Sequence, residues 1–138
     1  MKIVVVDGQG GGLGRMLVEQ VKKRLPQADV YAIGTNSIAT SAMMKAGADF
    51  GATGENPVIR AVMDADAVLG PMGIVVAHAI LGEVTPVMAE AVGGCRARKY
   101  LIPMNNCGVV VSGVAEQPLP VYVSQAVDRI ISDLERGA

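Results

Sequence analysis

Five glycines fall within seven residues, Gly8, Gly10, Gly11, Gly12 and Gly14, with Gln9 and Leu13 between them and Asp7 directly ahead. Glycine at this density suits phosphate binding. No side chain blocks the approach of an anion to backbone N–H groups, and the chain can turn tightly through φ/ψ values that other residues avoid. Asp7 has three possible uses: holding a ribose, holding a metal, or capping amides of the loop, of which capping is the plainest. Other reactive side chains are few. His78 is the single histidine and lies in an apolar stretch, so a satisfied core or interface histidine is expected before a catalytic one. Cys95 and Cys107 lack ligand spacing with it or with each other, and no metal site is expected. Cys107, beside Asn105 and Asn106, could serve as nucleophile or redox sensor, although a small buried hydrophobe is the commoner role for such a cysteine.

The elements around the loop have the order that phosphate binding requires. Lys2-Ile3-Val4-Val5-Val6 is a short β-branched run, and Leu13, Leu17, Val21 and Leu25 recur at helical spacing after the glycines. Strand, glycine loop and helix together put N–H groups and the positive end of a helix beside an anion. Further on, residues 30–33 read as a second strand, and Gly34-Thr35-Asn36-Ser37 supplies N-cap chemistry for a helix over 38–46. Residues 48–52 are a weak strand, and a helix opens at Pro57. Strand 67–69 runs out through Gly70-Pro71-Met72-Gly73. Residues 74–81 are apolar nearly all round, which predicts a helix buried in the fold or in an oligomer interface. A helix over 86–92, a strand over 99–103, another strand over 109–114 and a last helix over 120–135 complete the chain. In that last helix Val123, Ala126, Val127, Ile130, Ile131 and Leu134 form one stripe.

Alternation of strand and helix implies right-handed βαβ units. The expected fold class is therefore α/β, a three-layer, Rossmann-like, doubly wound and mostly parallel sheet of five to six strands, formed by residues 1–138 as one domain. Ligands of such sheets lie beyond the carboxyl ends of the strands. Four loops would share that rim: 8–14, 34–37, 70–73 and 104–107. The candidate cofactor-binding residues follow: Asp7, Gly8, Gln9, Gly10, Gly11, Gly12, Leu13, Gly14, Thr35, Asn36, Ser37, Gly70, Pro71, Met72, Gly73 and Asn105.

The glycine spacing supports two registers. Gly8, Gly12 and Gly14 fit the loop of short-chain dehydrogenases, whereas Gln9, Gly11 and Gly14 resemble the cofactor loop of prephenate-dehydrogenase-type enzymes. Resemblance to the phosphate loop of partitioning ATPases fails, because Arg15 and Met16 stand where a lysine and a magnesium-binding hydroxyl belong. Taken with residues 34–43, Gly70-Pro71-Met72-Gly73 and Ile102-Pro103-Met104-Asn105, the loop makes nearly the whole chain resemble a family of short bacterial Rossmann-like proteins grouped as a domain of unknown function. That resemblance implies the fold and brings no activity with it.

Composition sets outer bounds. The chain has 138 residues and a net charge of −1, which suggests neither nucleic acid nor an anionic membrane as partner. Three tyrosines, one phenylalanine and no tryptophan leave the core to aliphatic residues and argue against a flavin stacked on aromatics. No stretch is long and apolar enough for a membrane span, and the N-terminal apolar run stops at Asp7, so a cytoplasmic protein with reduced thiols is expected. Short-chain dehydrogenase chemistry needs Tyr-x-x-x-Lys, but Thr35, Met104 and Ala126 stand four residues after Tyr31, Tyr100 and Tyr122. The expectation is a dinucleotide-binding sensor or carrier, self-associating as a homodimer through the apolar 74–81 segment. NADP is preferred over NAD, since Thr35, Asn36 and Ser37 bring no acid to the second strand's end. Two other readings are a small NAD(P)-dependent oxidoreductase with its site at a subunit interface, and a structural module whose glycine loop stays empty.

Overall fold

The computed structural model describes residues 1–104 and 107–137. Its strands are β1 (Lys2–Asp7), β2 (Asp29–Gly34), β3 (Phe50–Thr53), β4 (Ala67–Pro71) and β5 (Arg98–Ile102). The helices are α1 (Gly12–Arg24), α2 (Ser37–Lys45), α3 (Glu55–Val62), α4 (Pro86–Gly94) and α5 (Leu119–Glu135). All strand pairs are parallel and the sheet order is β3-β2-β1-β4-β5. The chain thus winds outward from β1 in one direction, returns, and winds outward in the other. A crevice is left where the two directions diverge, between the carboxyl ends of β1 and β4.

β1 is central and buried on both faces, which explains its uninterrupted apolar run. Ile3 and Val5 join Leu13, Leu17, Val18 and Val21 of α1 and Val123, Val127 and Ile130 of α5 on one side. Val4 and Val6 join Val58 and Val62 of α3 and Met88 and Val92 of α4 on the other. Each such fully buried aliphatic side chain contributes about 1.5–3 kcal/mol. The layers are therefore helix, sheet, helix, and the α/β expectation holds with five strands.

Two expected elements are absent. Residues 74–81 do not form a helix: a 3-10 turn (Met72–Val75) is followed by a tight irregular loop in which His78, Ile80 and Leu81 have φ of 67°, 56° and 53°. No side chain caps the turn's start, and β-branched Ile74, Val75 and Val76 favour helix poorly. The loop closes its own backbone bonds instead, with His78 N–H on Val84 O and Val84 N–H on Ala79 O. The argument for a homodimer built on an apolar helix loses its helix. Residues 109–114 form no strand either. Gly108 and Gly113 have φ of 76° and 84°, which interrupts an extended ladder, and the valines between them face solvent. No helix among the described residues is long and apolar enough to cross a membrane.

Away from the crevice, α5 is tied to β5 by Asp133. This carboxylate is 2% exposed and accepts from Arg98 at 3.1 Å, Arg129 at 3.1 Å, Arg136 at 2.5 Å and the Tyr100 hydroxyl at 2.7 Å. The Tyr100 hydrogen bond above all, with those of Arg136 and Arg129, overcomes desolvation and holds its pKa far below the ordinary carboxylate value.

Candidate functional site

The register β1 to β2 pairs Asp7 with Gly34, and one more ladder bond, Thr35 N–H to Asp7 O at 2.9 Å, sets the two loops side by side. Asp7 turns its side chain into the glycine loop. Its Oδ1 accepts from Gly8 N–H at 2.8 Å and its Oδ2 from Gly14 N–H at 2.6 Å. Asp7 therefore caps loop amides, the plainest of its three expected roles. At 6% exposure its carboxyl is pushed up by burial; the two N–H donors pull it back, and the charge of Glu83 adds to the rise.

The five glycines divide into two groups. Gly8, Gly11 and Gly14 are required by the fold. A Cβ at Gly8 would stand 2.5 Å from Thr35 Oγ1, one at Gly14 would stand 2.5 Å from Met43 Sδ, and Gly11 is left-handed at φ 74° against the Ala39 backbone. Gly10 and Gly12 are different. Neither has positive φ, and a Cβ on either would meet nothing within 4 Å. Both line a cleft of about 330 Å³ together with Asp7, Gly8, Gln9, Gly11, Leu13 and Arg15. The N–H groups of Gly12 and Leu13, in the first turn of α1, have no partner among the described residues. Arg15, one turn on, also lines the cleft, and its guanidinium bonds Glu19 at 3.0 Å.

The far wall comes from Pro71 at the end of β4, Ile80, Met104 and Leu119 at the start of α5. Met104 and Leu119 also border a larger hollow of about 590 Å³, lined by Met72, Pro103, Val110, Val111, Val114 and Tyr122 among others. Of the 70–73 segment, only Pro71 and Met72 therefore reach open space. Gly70 lies tight on the Val6 carbonyl and Gly73 packs under Ala79 and Cys107. Asn105 lies outside the described residues. Cys107 lines neither hollow and points its thiol at the Met104 carbonyl, 3.5 Å away. His78 is exposed on the irregular loop, which corrects the core half of the expectation of a core or interface histidine.

That loop supplies a group the sequence does not announce. Glu83 Oε1 accepts from Thr35 Oγ1 at 2.6 Å, Asn36 Nδ2 at 2.8 Å and Gln9 N–H at 3.1 Å. Burial works against its charge, yet these three donors together outweigh it and lower its pKa. The end of β2 does have an acid, reached from 48 residues away in sequence. Thr35 and Asn36 are engaged by it, and Asn36 also caps α2 through Ala39 N–H at 2.9 Å. Ser37 is exposed as the first residue of α2. The premise for a 2′-phosphate site there, no acid within reach, is overturned. A non-glycine residue in the left-handed region costs roughly 1–2 kcal/mol, so the three in this loop mark backbone held in place by its surroundings.

A solved structure described as a dodecameric FMN-dependent Ubix-like decarboxylase from Escherichia coli O157:H7 is similar at 16% identity and a TM-score of 0.48, over 94% of this chain and 76% of that one. At that identity and TM-score nothing is carried over from that protein to this chain. The comparison with curated proteins returns no match. The family model described as Domain of unknown function (DUF3842) matches residues 2–135, and this chain, with its glycine-lined cleft at the β1–β4 divergence, belongs to that family.

Proposed function

We propose that the protein binds a nucleotide through its phosphate at residues 8–15 and carries or senses it. The observation behind this reading is the pair Gly10 and Gly12. Neither backbone angle nor packing requires glycine at these positions, and both border the cleft where Gly12 and Leu13 present free N–H groups. A ligand lying against them supplies the missing reason, since a side chain at either place would occupy its room. Arg15 lines the same cleft and, released from Glu19, can supply a cation to the phosphate. Asp7 bonds amides of the loop, Gly8 and Gly14, and so shapes it.

Thermal denaturation with added nucleotides tests this. Ligand at a hundredfold excess over Kd stabilises by about 2.7 kcal/mol, which in a chain of this size raises Tm by roughly 10 °C. Gly12→Val should abolish that rise and leave the unliganded Tm within about 2 °C, because its Cβ enters open space. If no nucleotide at millimolar concentration raises the wild-type Tm, the reading is wrong.

A further inference from the structure

A phosphate held at the glycine loop leaves its ligand two ways to extend: over the ends of β2 and β3, or over those of β4 and β5. The first way is shut. Glu83, Thr35 and Asn36 form a closed set over the β2 end, joined to the loop through Gln9, whose N–H binds Glu83 and whose carbonyl accepts from Asn36 at 2.9 Å. Space above Gly8 is filled from the same side: a Cβ there would meet Thr35 Oγ1 at 2.5 Å, Glu83 Oε1 at 2.9 Å and Ile80 at 3.1 Å. The second way is open. The 330 Å³ cleft shares Met104 and Leu119 with the 590 Å³ hollow, whose walls include Val110, Val111, Val114 and Tyr122.

We infer that the cleft takes a mononucleotide, its body lying over β4 and β5 toward the apolar hollow, and that Glu83 is a specificity-determining residue excluding the second half of a dinucleotide. A dinucleotide spanning the divergence needs the β2 end for its other nucleoside. Here that end is occupied by Glu83, whose Oε1 already takes Thr35, Asn36 and the Gln9 N–H, so a second ribose meets side chains bonded to one another and a second phosphate meets like charge. The inference rests on the proposed phosphate site and narrows it, replacing the NAD(P)-type dinucleotide expected from sequence.

Calorimetric titration of two matched pairs, FMN against FAD and AMP against NAD, tests it with the full chain. In the wild type at least one mononucleotide should bind, and no tighter binding should come from its dinucleotide. Glu83→Ala should improve the dinucleotide relative to its mononucleotide by about tenfold or more, as expected when a like charge and a contact are removed. Glu83→Gln removes the charge but keeps an acceptor for Thr35 and the loop's shape; it should relax the discrimination in part and guards against a folding failure of the alanine variant. A wild-type dinucleotide binding tenfold tighter than either of its halves, or a ratio unmoved in Glu83→Ala while that variant's circular dichroism is native, overturns the inference and leaves the phosphate site standing. Failure of all four nucleotides and of inorganic phosphate to bind would remove both.

Discussion

Two aspartates are buried among the described residues, one at each end of the parallel strands, and their partners differ. Asp133, at the amino end, meets three arginines and a tyrosine hydroxyl, and its charge is held far more firmly than in water. Asp7, at the carboxyl end, meets two backbone N–H groups, and burial raises its pKa despite them. The first arrangement joins α5 to β5 and faces no glycine loop. The second borders a cleft with free N–H donors and unexplained glycines. A buried acid, then, is a fastening where cations surround it. It marks a site where the fold leaves its charge undercompensated beside open space.

The largest effect expected from this contrast is on stability. Asp133→Ala strands Tyr100 and leaves three arginines facing one another, although each of those side chains is more than half exposed and water softens the loss. Thermal denaturation followed by circular dichroism should show Tm lower by roughly 5–10 °C. Nucleotide affinity should not change. An equal loss of affinity would mean that the two ends are coupled and the contrast is drawn too sharply.

Arg15→Ala should do the reverse. Its ion pair with Glu19 is an exposed i,i+4 contact, half exposed on both sides, and pairs of this kind contribute about 0.3–0.5 kcal/mol. Tm should barely move, while a charge-assisted bond to phosphate, about 1.5–3 kcal/mol, corresponds to tenfold weaker binding or more. Titration calorimetry separates the outcomes, and unchanged affinity would take Arg15 out of the site.

How much of this was legible beforehand depends on how local the cause is. β1, the glycine loop and α1 were readable because a β-branched run, a glycine cluster and a 3.6-residue stripe each act within a few residues. The same rules misread residues 74–81. Ile74, Val75, Val76, Ile80 and Leu81 satisfy a helical pattern, but the chain there is held by Glu83 reaching Thr35 and Asn36 across the crevice, and Leu81 ends 92% exposed. Valines at 109–111 carry strand propensity that counts only beside a partner strand, and β5 pairs with β4 alone among the described strands. Of the cleft's lining, Arg15, Met16, Ile80 and Leu119 went unassigned, and Met104 was placed only within the rim loop 104–107. Arg15 was recoverable, since it lies one helical turn from Gly12; Ile80 and Leu119 arrive from elements whose paths only the fold determines.

The smallest effect is also the one that compares the two acids directly, through pH. A carboxyl whose folded pKa is raised, as for Asp7, keeps its proton in the native chain over a range where the unfolded chain has released it. Stability therefore falls as pH rises from the unfolded value, about 3.9, to the folded one, and stays lowered above it. Lowering the pH from neutral should recover this contribution. Asp133 has the opposite sign: its stabilisation is complete above about pH 4 and is lost as pH falls through its depressed folded value. The wild type should gain stability from Asp7 on acidification toward pH 4 and lose it in stronger acid from Asp133. Asp7→Asn removes the titration but leaves one of the two amides, Gly8 or Gly14, without its acceptor, an effect of about 1 kcal/mol that does not vary with pH. Denaturation midpoints in buffers from pH 7 to pH 4 should thus converge less steeply upward in Asp7→Asn than in the wild type, while both fall together below pH 4. Parallel curves over the whole range would show that Asp7 is ionised alike in folded and unfolded chains. In that case its place beside the cleft, rather than its charge, is what distinguishes it from Asp133.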